Sequence, residues 1–347
     1  MSDPNDDKLQ PPTRRIIADN VSPVVPGMVP DIAPDEPTQE LARRAPWQFR
    51  HAARLAQSAP PVDLYADAPV TLRVEQLSVR LGGITVLREL NIDVRKGETI
   101  AIIGESGCGK TVLLKTIIGL IPATKGRVVF DGNDMGTLDE QELTHQRTRF
   151  GFVFQQAALF DSMTILENVG FPLRQHTCKT EEEVNDIACR LLEEVGLSPR
   201  AVAHKMPVEL SGGMRKRVGF ARALAMGPEI MLYDEPTTGL DPIMSDVINE
   251  LMLSVKRQHN VTGIIVTHDM LSAKKCADRI LMLYPISRLN ATEGQIIYNG
   301  NANSIDFCDD PRVTQFVRGE AGERVYDDSQ HLTDTGTYKP AYPVGME

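Results

Sequence analysis

Residues 98–111 read ETIAIIGESGCGKT, and this stretch constrains the fold more than any other. ETIAIIG (98–104) is a near-continuous apolar run, with the character of a strand buried on both faces of a parallel sheet. Gly104-Glu105-Ser106-Gly107-Cys108-Gly109-Lys110-Thr111 follows and fits G-x-x-x-x-G-K-[ST]; an apolar helical pattern, GKTVLLKTIIGL, comes next. Strand, glycine-rich loop and helix in that order is the context this motif requires. The glycines let backbone N–H groups turn inward around phosphate oxygens, and the helix N-terminus adds the positive end of its dipole. Lys110 can reach the β- and γ-phosphates, and the Thr111 hydroxyl can ligate Mg²⁺. Cys108 is incidental to this geometry, with a thiol that the positive potential is expected to activate.

Short apolar runs recur along the chain: GFVF (151–154), EIMLYD (229–234), TGIIVT (262–267) and RILML (279–283). Helical patterns lie between them, such as EEVNDIACRLLEEVGL and MSDVINELMLSVKRQ. That alternation predicts an α/β fold, a mainly parallel sheet with helices on both faces. TLRVEQLSV alternates apolar and polar residues as a half-buried strand does, so order is expected to start near Val70. Residues from about 164 to 227 show helices and no convincing strand, and read as a helical insert. The sequence thus divides into a proline-rich extension (1–68), a catalytic domain (69–318) and a polar tail (319–347). Within the extension, LARRAPWQFRHAARLA (41–56) reads as a basic amphipathic helix, either touching anionic lipid or a partner, or lying on its own domain.

Acidic residues outnumber basic ones, 47 to 37, for a net charge of −10. That argues against a general nucleic-acid binder. No apolar run approaches the roughly 20 residues of a membrane-spanning helix, so any work at a membrane is expected from outside the bilayer. The start, MSDPNDDKLQ, fits neither a signal nor a transit peptide. Five cysteines, without a C-x-x-C pair, read as reduced thiols of a cytosolic compartment.

A hydrolase needs more than a phosphate cradle. IMLYDEP (230–236) is an apolar strand ending in two adjacent acids. Strand alternation is expected to point them apart, Asp234 toward Mg²⁺ and Glu235 toward the γ-phosphate, where it polarises the attacking water. His268 ends another apolar strand, TGIIVTHD, in position to contact the γ-phosphate and orient that water. A second phosphate-binding element, ELSGGMRKR (209–217), reads as a helix with Ser211 at its N-cap, its N–H groups aimed at an anion.

Taken in order and spacing, GESGCGKT, Gln155 in FVFQQ, LSGGM, YDEPTTGLD and THD resemble the ATPase domain of ABC transporters over about residues 70–318. The resemblance implies a P-loop ATPase fold with an antiparallel β part and a helical subdomain. It implies a head-to-tail pair of identical chains, with each ATP held between Gly104–Thr111 of one and Ser211, Gly212, Gly213 and Met214 of the other. Gln155 would join Mg²⁺ to the helical insert, and Asp241 would lie at the nucleotide. Met214 stands where most of the family has glutamine. In VRLGG, Leu81 stands where the family usually stacks an aromatic ring on adenine.

After Gln155, residues Leu159, Phe160, Met163 and Ile165 are apolar. They are read either as core or as a groove receiving a short helix of a membrane permease. AALFDSMTILENVGFPLRQHT, ELSGGMRKRVGFARALAMGPEIMLYDEPTTGLDPI and DPRVTQF are similar to the ATPase subunits of Mla/Mce-type lipid-transport systems. That similarity implies a permease and an Mce-domain lipid-binding protein as partners, and a place on the cytoplasmic face of the inner membrane. The C-terminal residues Val313, Phe316 and Val317 would either anchor on a partner ATPase or pack locally. Other readings are an ABC ATPase for a different solute, a soluble ABC-type machine, and an ATP-binding regulatory domain without turnover.

Overall fold

The computed structural model describes residues 65–320. The readings of the proline-rich extension before Tyr65, including residues 41–56, and of the tail after Glu320 lie outside the described residues. Two sheets form. Strands β1 (Val70–Leu81), β2 (Ile84–Arg95), β4 (Lys125–Phe130) and β5 (Asn133–Asp134) make an antiparallel sheet in the order β2-β1-β4-β5. The larger sheet contains β3 (Thr99–Gly104), β6 (Phe150–Val153), β7 (Ile230–Asp234), β8 (Thr262–Val266), β9 (Arg279–Leu283) and β10 (Ile296–Asn301). Its order is β10-β9-β3-β8-β7-β6, parallel throughout except for the antiparallel edge strand β10.

Burial explains which runs became central strands. Every residue of β3, β7 and β8 is buried, as expected of parallel strands covered on both faces. Helix α1 (Lys110–Ile117) opens from β3; α2 (Glu140–Arg147) follows the small sheet. The helical subdomain holds α3 (Ile165–His176), α4 (Glu181–Glu194), α5 (Pro199–Val202) and α6 (Gly212–Leu224). Thr164 and Thr180 cap α3 and α4, each in a reciprocal box with a glutamate three residues on. Then come α7 (Pro242–His259), α8 (Met270–Cys276) and α9 (Pro311–Arg318). The core forms two clusters, one on each face of the large sheet. One joins it to the helical subdomain through Val169, Leu192, Val218 and Phe220. The other joins it to the small sheet and α1 through Leu72, Leu87, Leu113 and Phe130.

Of Leu159, Phe160, Met163 and Ile165, Phe160 lines an aromatic cavity, and Ile165 fits the core reading. Ile165 is fully buried as the first residue of α3, next to the Thr164 cap. The Met163 carbonyl is held by Asn168, a fully buried amide. Asn168 Nδ2 also donates to the carbonyls of Phe160 and Thr164, and Asn168 Oδ1 accepts from the Phe160 N–H. This one side chain satisfies the backbone of the turn preceding α3. Asn168→Ala should therefore lower the unfolding free energy by about 3 kcal/mol, since it leaves buried backbone groups unpaired. Urea denaturation measures this, and an unchanged midpoint would contradict the role.

Candidate active site

Parallel pairing brings the ends of three strands together. Ile102 of β3 lies beside Val266 of β8, and Val266 lies beside Asp234 of β7. The chain segments that follow these residues carry Gly104, His268 and Glu235. In open α/β sheets this carboxyl edge is where ligands bind. A cleft of about 510 Å³ sits there, lined by Val86, Ser106, Gly107, Gly109, Lys110, Thr111, Val112, Gln155, Glu235 and His268.

The loop from Gly104 to Gly109 needs its glycines. Gly104 has φ 147°, and a Cβ there would meet the Leu283 carbonyl oxygen at 2.3 Å. Gly109, at φ 100°, caps α1 in the left-handed region, with Leu87 and Val86 against its back. Lys110 is buried and donates to the carbonyls of Gly104 (2.9 Å) and Glu105 (3.0 Å). Thr111 donates its hydroxyl to Asp234 Oδ1 at 2.9 Å. Burial pushes the Asp234 carboxyl up from its ordinary value, more than the Thr111 hydrogen bond pulls it down. The Cys108 thiol is a correction to the sequence reading. It is buried, and that burial raises its pKa, outweighing the lowering by Lys110. The thiol packs against Gly104, where a Cβ would meet it at 2.9 Å.

Glu235 departs from strand alternation. β7 ends at Asp234, and Glu235 has φ 50°, a left-handed conformation that costs a non-glycine residue on the order of 1 kcal/mol. The turn, rather than the pleat, separates the two acids. The Glu235 N–H donates to the Val266 carbonyl at 2.9 Å, and its Oε2 lies 2.7 Å from His268 Nδ1. Thr238 donates its hydroxyl to the same oxygen at 3.0 Å. Neither Thr238 nor Val86 stood out in the sequence, since a threonine after DEP and a valine in a strand carry no local signal.

Not every expected residue reaches this cleft. Leu81 lies at the tip of the β1–β2 hairpin, opposite Ile84, and is 41% exposed. Asp241 caps α7 by accepting from the Met244 N–H at 3.0 Å. Ser211 caps α6, accepting from the Met214 N–H at 3.3 Å. Gly213 packs on Met244, which a Cβ there would meet at 2.5 Å. Gly212 lines a separate cleft of about 490 Å³ with Arg215, Lys216, Thr238 and Gly239. Gln155 borders both clefts.

A third cavity, about 530 Å³, is aromatic. Phe150, Phe152, Phe154, Phe160 and Phe171 line it, with Arg222 and His176 among its polar groups. Arg222 donates to the carbonyls of Ala157 and Ala158, both at 2.7 Å. It thereby holds two consecutive left-handed residues, φ 61° and 47°, between Gln155 and this groove.

The ABC transporter family model matches residues 87–238. Over 250 residues the chain is 38% identical to the intermembrane phospholipid transport system ATP-binding protein MlaF of Haemophilus influenzae, covering 72% of this chain and 91% of that one. It is also 38% identical over 250 residues to the probable ribonucleotide transport ATP-binding protein mkl of Mycobacterium leprae, covering 72% and 69%. Among solved structures, it resembles the dimeric post-hydrolysis state of the ATP-binding cassette MJ0796 bound to ADP and Pi. The TM-score is 0.59 at 33% identity, covering 67% of this chain and 98% of that one. The fold and site define a P-loop ATPase of the α/β class. The chain belongs to the ABC transporter family and is an ATP-hydrolysing cassette of that family.

Lys216 was also missed, hidden in the basic run after LSGGM. It is buried and donates to the carbonyls of Pro236 (2.6 Å) and Thr238 (2.8 Å), fastening the turn that carries Glu235 to α6. Burial pushes the Lys216 ammonium down to about 8 from the ordinary 10.5, with the Glu235 carboxylate acting the other way. The folded value lies below the unfolded one, so between these pH values the unfolded chain binds more protons. Stability from this group therefore rises as pH climbs through that window. A lysine-resolved NMR titration should find the Lys216 midpoint near 8; an ordinary lysine midpoint would contradict the burial argument.

Proposed function

We propose that this cassette powers lipid transport between membranes, with two copies closing head to tail on two ATP molecules. The observation that carries the lipid reading is the 38% identity to MlaF across 91% of its length. The aromatic groove supports a permease partner. It is apolar, adjoins Gln155 through the Ala157–Ala158 turn, and suits an amphipathic helix. Among the described residues no helix is long and apolar enough to cross a membrane. The transport path would therefore lie in the permease, with the cassette peripheral on its cytoplasmic face and an Mce-domain protein receiving or delivering lipid. A second reading, a different solute, is favoured by the equal identity to the mycobacterial relative named for ribonucleotide transport.

In the reaction, N–H groups of the Gly104–Thr111 loop and the Lys110 ammonium hold the phosphates of ATP. The donor set fits Mg²⁺: a hydroxyl and a buried carboxylate 2.9 Å apart, with the Gln155 amide on the same cleft. Thr111, Asp234 and Gln155 would hold the ion, which would supply positive charge to offset that of the phosphates. Glu235 accepts a hydrogen bond from the attacking water and takes its proton as the bond to the γ-phosphorus forms and the bond from that phosphorus to the β–γ bridging oxygen breaks, with ADP as the leaving group. His268 and Thr238 hold that carboxylate in its left-handed turn. The N-terminus of α6, at Ser211, would face the γ-phosphate bound by the other copy. Loss of that phosphate releases the clamp and opens the dimer.

Glu235→Gln should keep ATP binding and lower turnover by about a hundredfold or more, the usual scale for a lost general base. Turnover at the parent rate would show the base to be elsewhere. The same variant, tagged and captured with ATP from detergent-solubilised membranes of its host, tests the cargo. A permease with an Mce-domain protein and phospholipid is the expected catch. A different permease would keep the motor and discard the lipid, and no membrane partner would overturn both.

A further inference from the structure

The phosphate loop leans on a segment nearly two hundred residues further along the chain. The connection between β9 and β10 runs from Tyr284 to Gln295 and contains a short 3₁₀ turn, Ile286–Arg288. It is closed at its base by the Tyr284 N–H donating to the Gln295 carbonyl at 2.9 Å. It is also tied to β2, because the Arg88 guanidinium donates to the carbonyls of Asn290 (3.0 Å) and Glu293 (2.7 Å). Two of its side chains then reach the phosphate loop. Arg288 pairs with the Glu105 carboxylate at 2.8 Å. Gln295, only 1% exposed, donates from Nε2 to the Cys108 carbonyl at 3.0 Å and to the Val86 carbonyl at 3.2 Å. Its Oε1 accepts from the Arg88 N–H at 2.9 Å.

The contact with Cys108 has a geometric consequence. A trans peptide is planar, with its C=O and the following N–H pointing in opposite directions. Gln295 holds the Cys108 carbonyl on the core side, so the N–H of Gly109 is turned to the other side, toward the cleft that Gly109 lines. Gly109, at φ 100°, has no Cβ to restrict its own rotation. The orientation of this donor therefore depends on a partner that fixes the peptide plane. A buried amide using three of its hydrogen-bonding positions does so rigidly, because each alternative orientation would leave a backbone group unpaired.

We infer that the Tyr284–Gln295 connection is a latch on the phosphate cradle, with Gln295 a positioning residue that aims the Gly109 N–H at the bound nucleotide. This rests on the reading of Gly104–Thr111 as the ATP site. The latch acts on ground-state binding more than on the chemical step, since Gln295 touches neither Glu235 nor His268.

The test is steady-state ATP hydrolysis and equilibrium ATP binding by the full chain. Gln295→Met keeps the side chain's bulk and removes every hydrogen bond. It should raise KM and Kd for ATP about five- to tenfold, the scale of one well-placed buried hydrogen bond, with kcat within about twofold. Gln295→Leu likewise removes every hydrogen bond and should match Gln295→Met. A lowered melting temperature with unchanged KM and Kd would mark Gln295 as a structural staple and overturn the proposal. Should the Gln295 variants fail to fold, Arg288→Ala decides. It removes the contact with Glu105 and should raise Kd by about two- to threefold, the loss expected for a partly exposed ion pair; no change would overturn the latch. Lys110→Ala separates the two claims. If it binds ATP as the parent does, the site assignment fails; if it loses ATP while the Gln295 variants do not, only the latch fails.

Discussion

The pairing of β8 with β3 on one side and β7 on the other is the constraint on which the rest depends. It places Ile102, Val266 and Asp234 side by side at one edge of the large sheet. Three segments leave that edge together, carrying the phosphate loop, His268 and Glu235. None of the three strands has a solvent-facing side, as expected of central strands in a parallel sheet. The Thr111–Asp234 hydrogen bond then closes the gap between β3's helix and β7's end. Residues more than a hundred positions apart become a single oxygen-donor site without any loop having to reach across.

Around this edge several buried and half-buried side chains donate to backbone carbonyls. Lys110 holds Gly104 and Glu105, Lys216 holds Pro236 and Thr238, Arg222 holds Ala157 and Ala158, and Gln295 holds Val86 and Cys108. Together they grip three turns, the phosphate loop, the turn at Glu235 and Ala157–Ala158, and all three contain residues of positive φ. The consequence is a cleft whose loops are held by contacts within the chain. Pre-set donors of this kind are worth more than mobile ones, because no reorganisation accompanies binding. The same turns border the clefts of the P-loop and of α6 and the aromatic groove, so displacing one bears on its neighbours.

Much of this was legible in the residues. The strand–loop–helix order at 98–117 announced the phosphate cradle, and the continuous apolar runs announced β3, β7, β8 and β9. The antiparallel sheet was only half visible. Gln76 and Glu89 both take left-handed bulges, at φ 49° and 51°, which shift the period from Val74 to Leu77 in β1 and from Leu87 to Leu90 in β2. A strict alternation rule fails at such bulges. β10 is only half-buried, and its IIYNGN lacks a continuous apolar signal. The separation of Asp234 from Glu235 was expected from the pleat and arises from a turn. The roles of Lys216 and Gln295 depend on carbonyls distant in sequence, and no local spacing encodes that.

The central claim is that one ATP lies between the phosphate loop of one copy and the α6 N-terminus of the other. The most direct measurement is a structure of the Glu235→Gln protein with ATP and Mg²⁺. We expect the γ-phosphate against Lys110 and Thr111 of one protomer and against Ser211 of the partner subunit, with residue 235 beside a water in line with the scissile bond. A nucleotide bound away from Lys110, or one held by both elements of the same copy, would contradict the account.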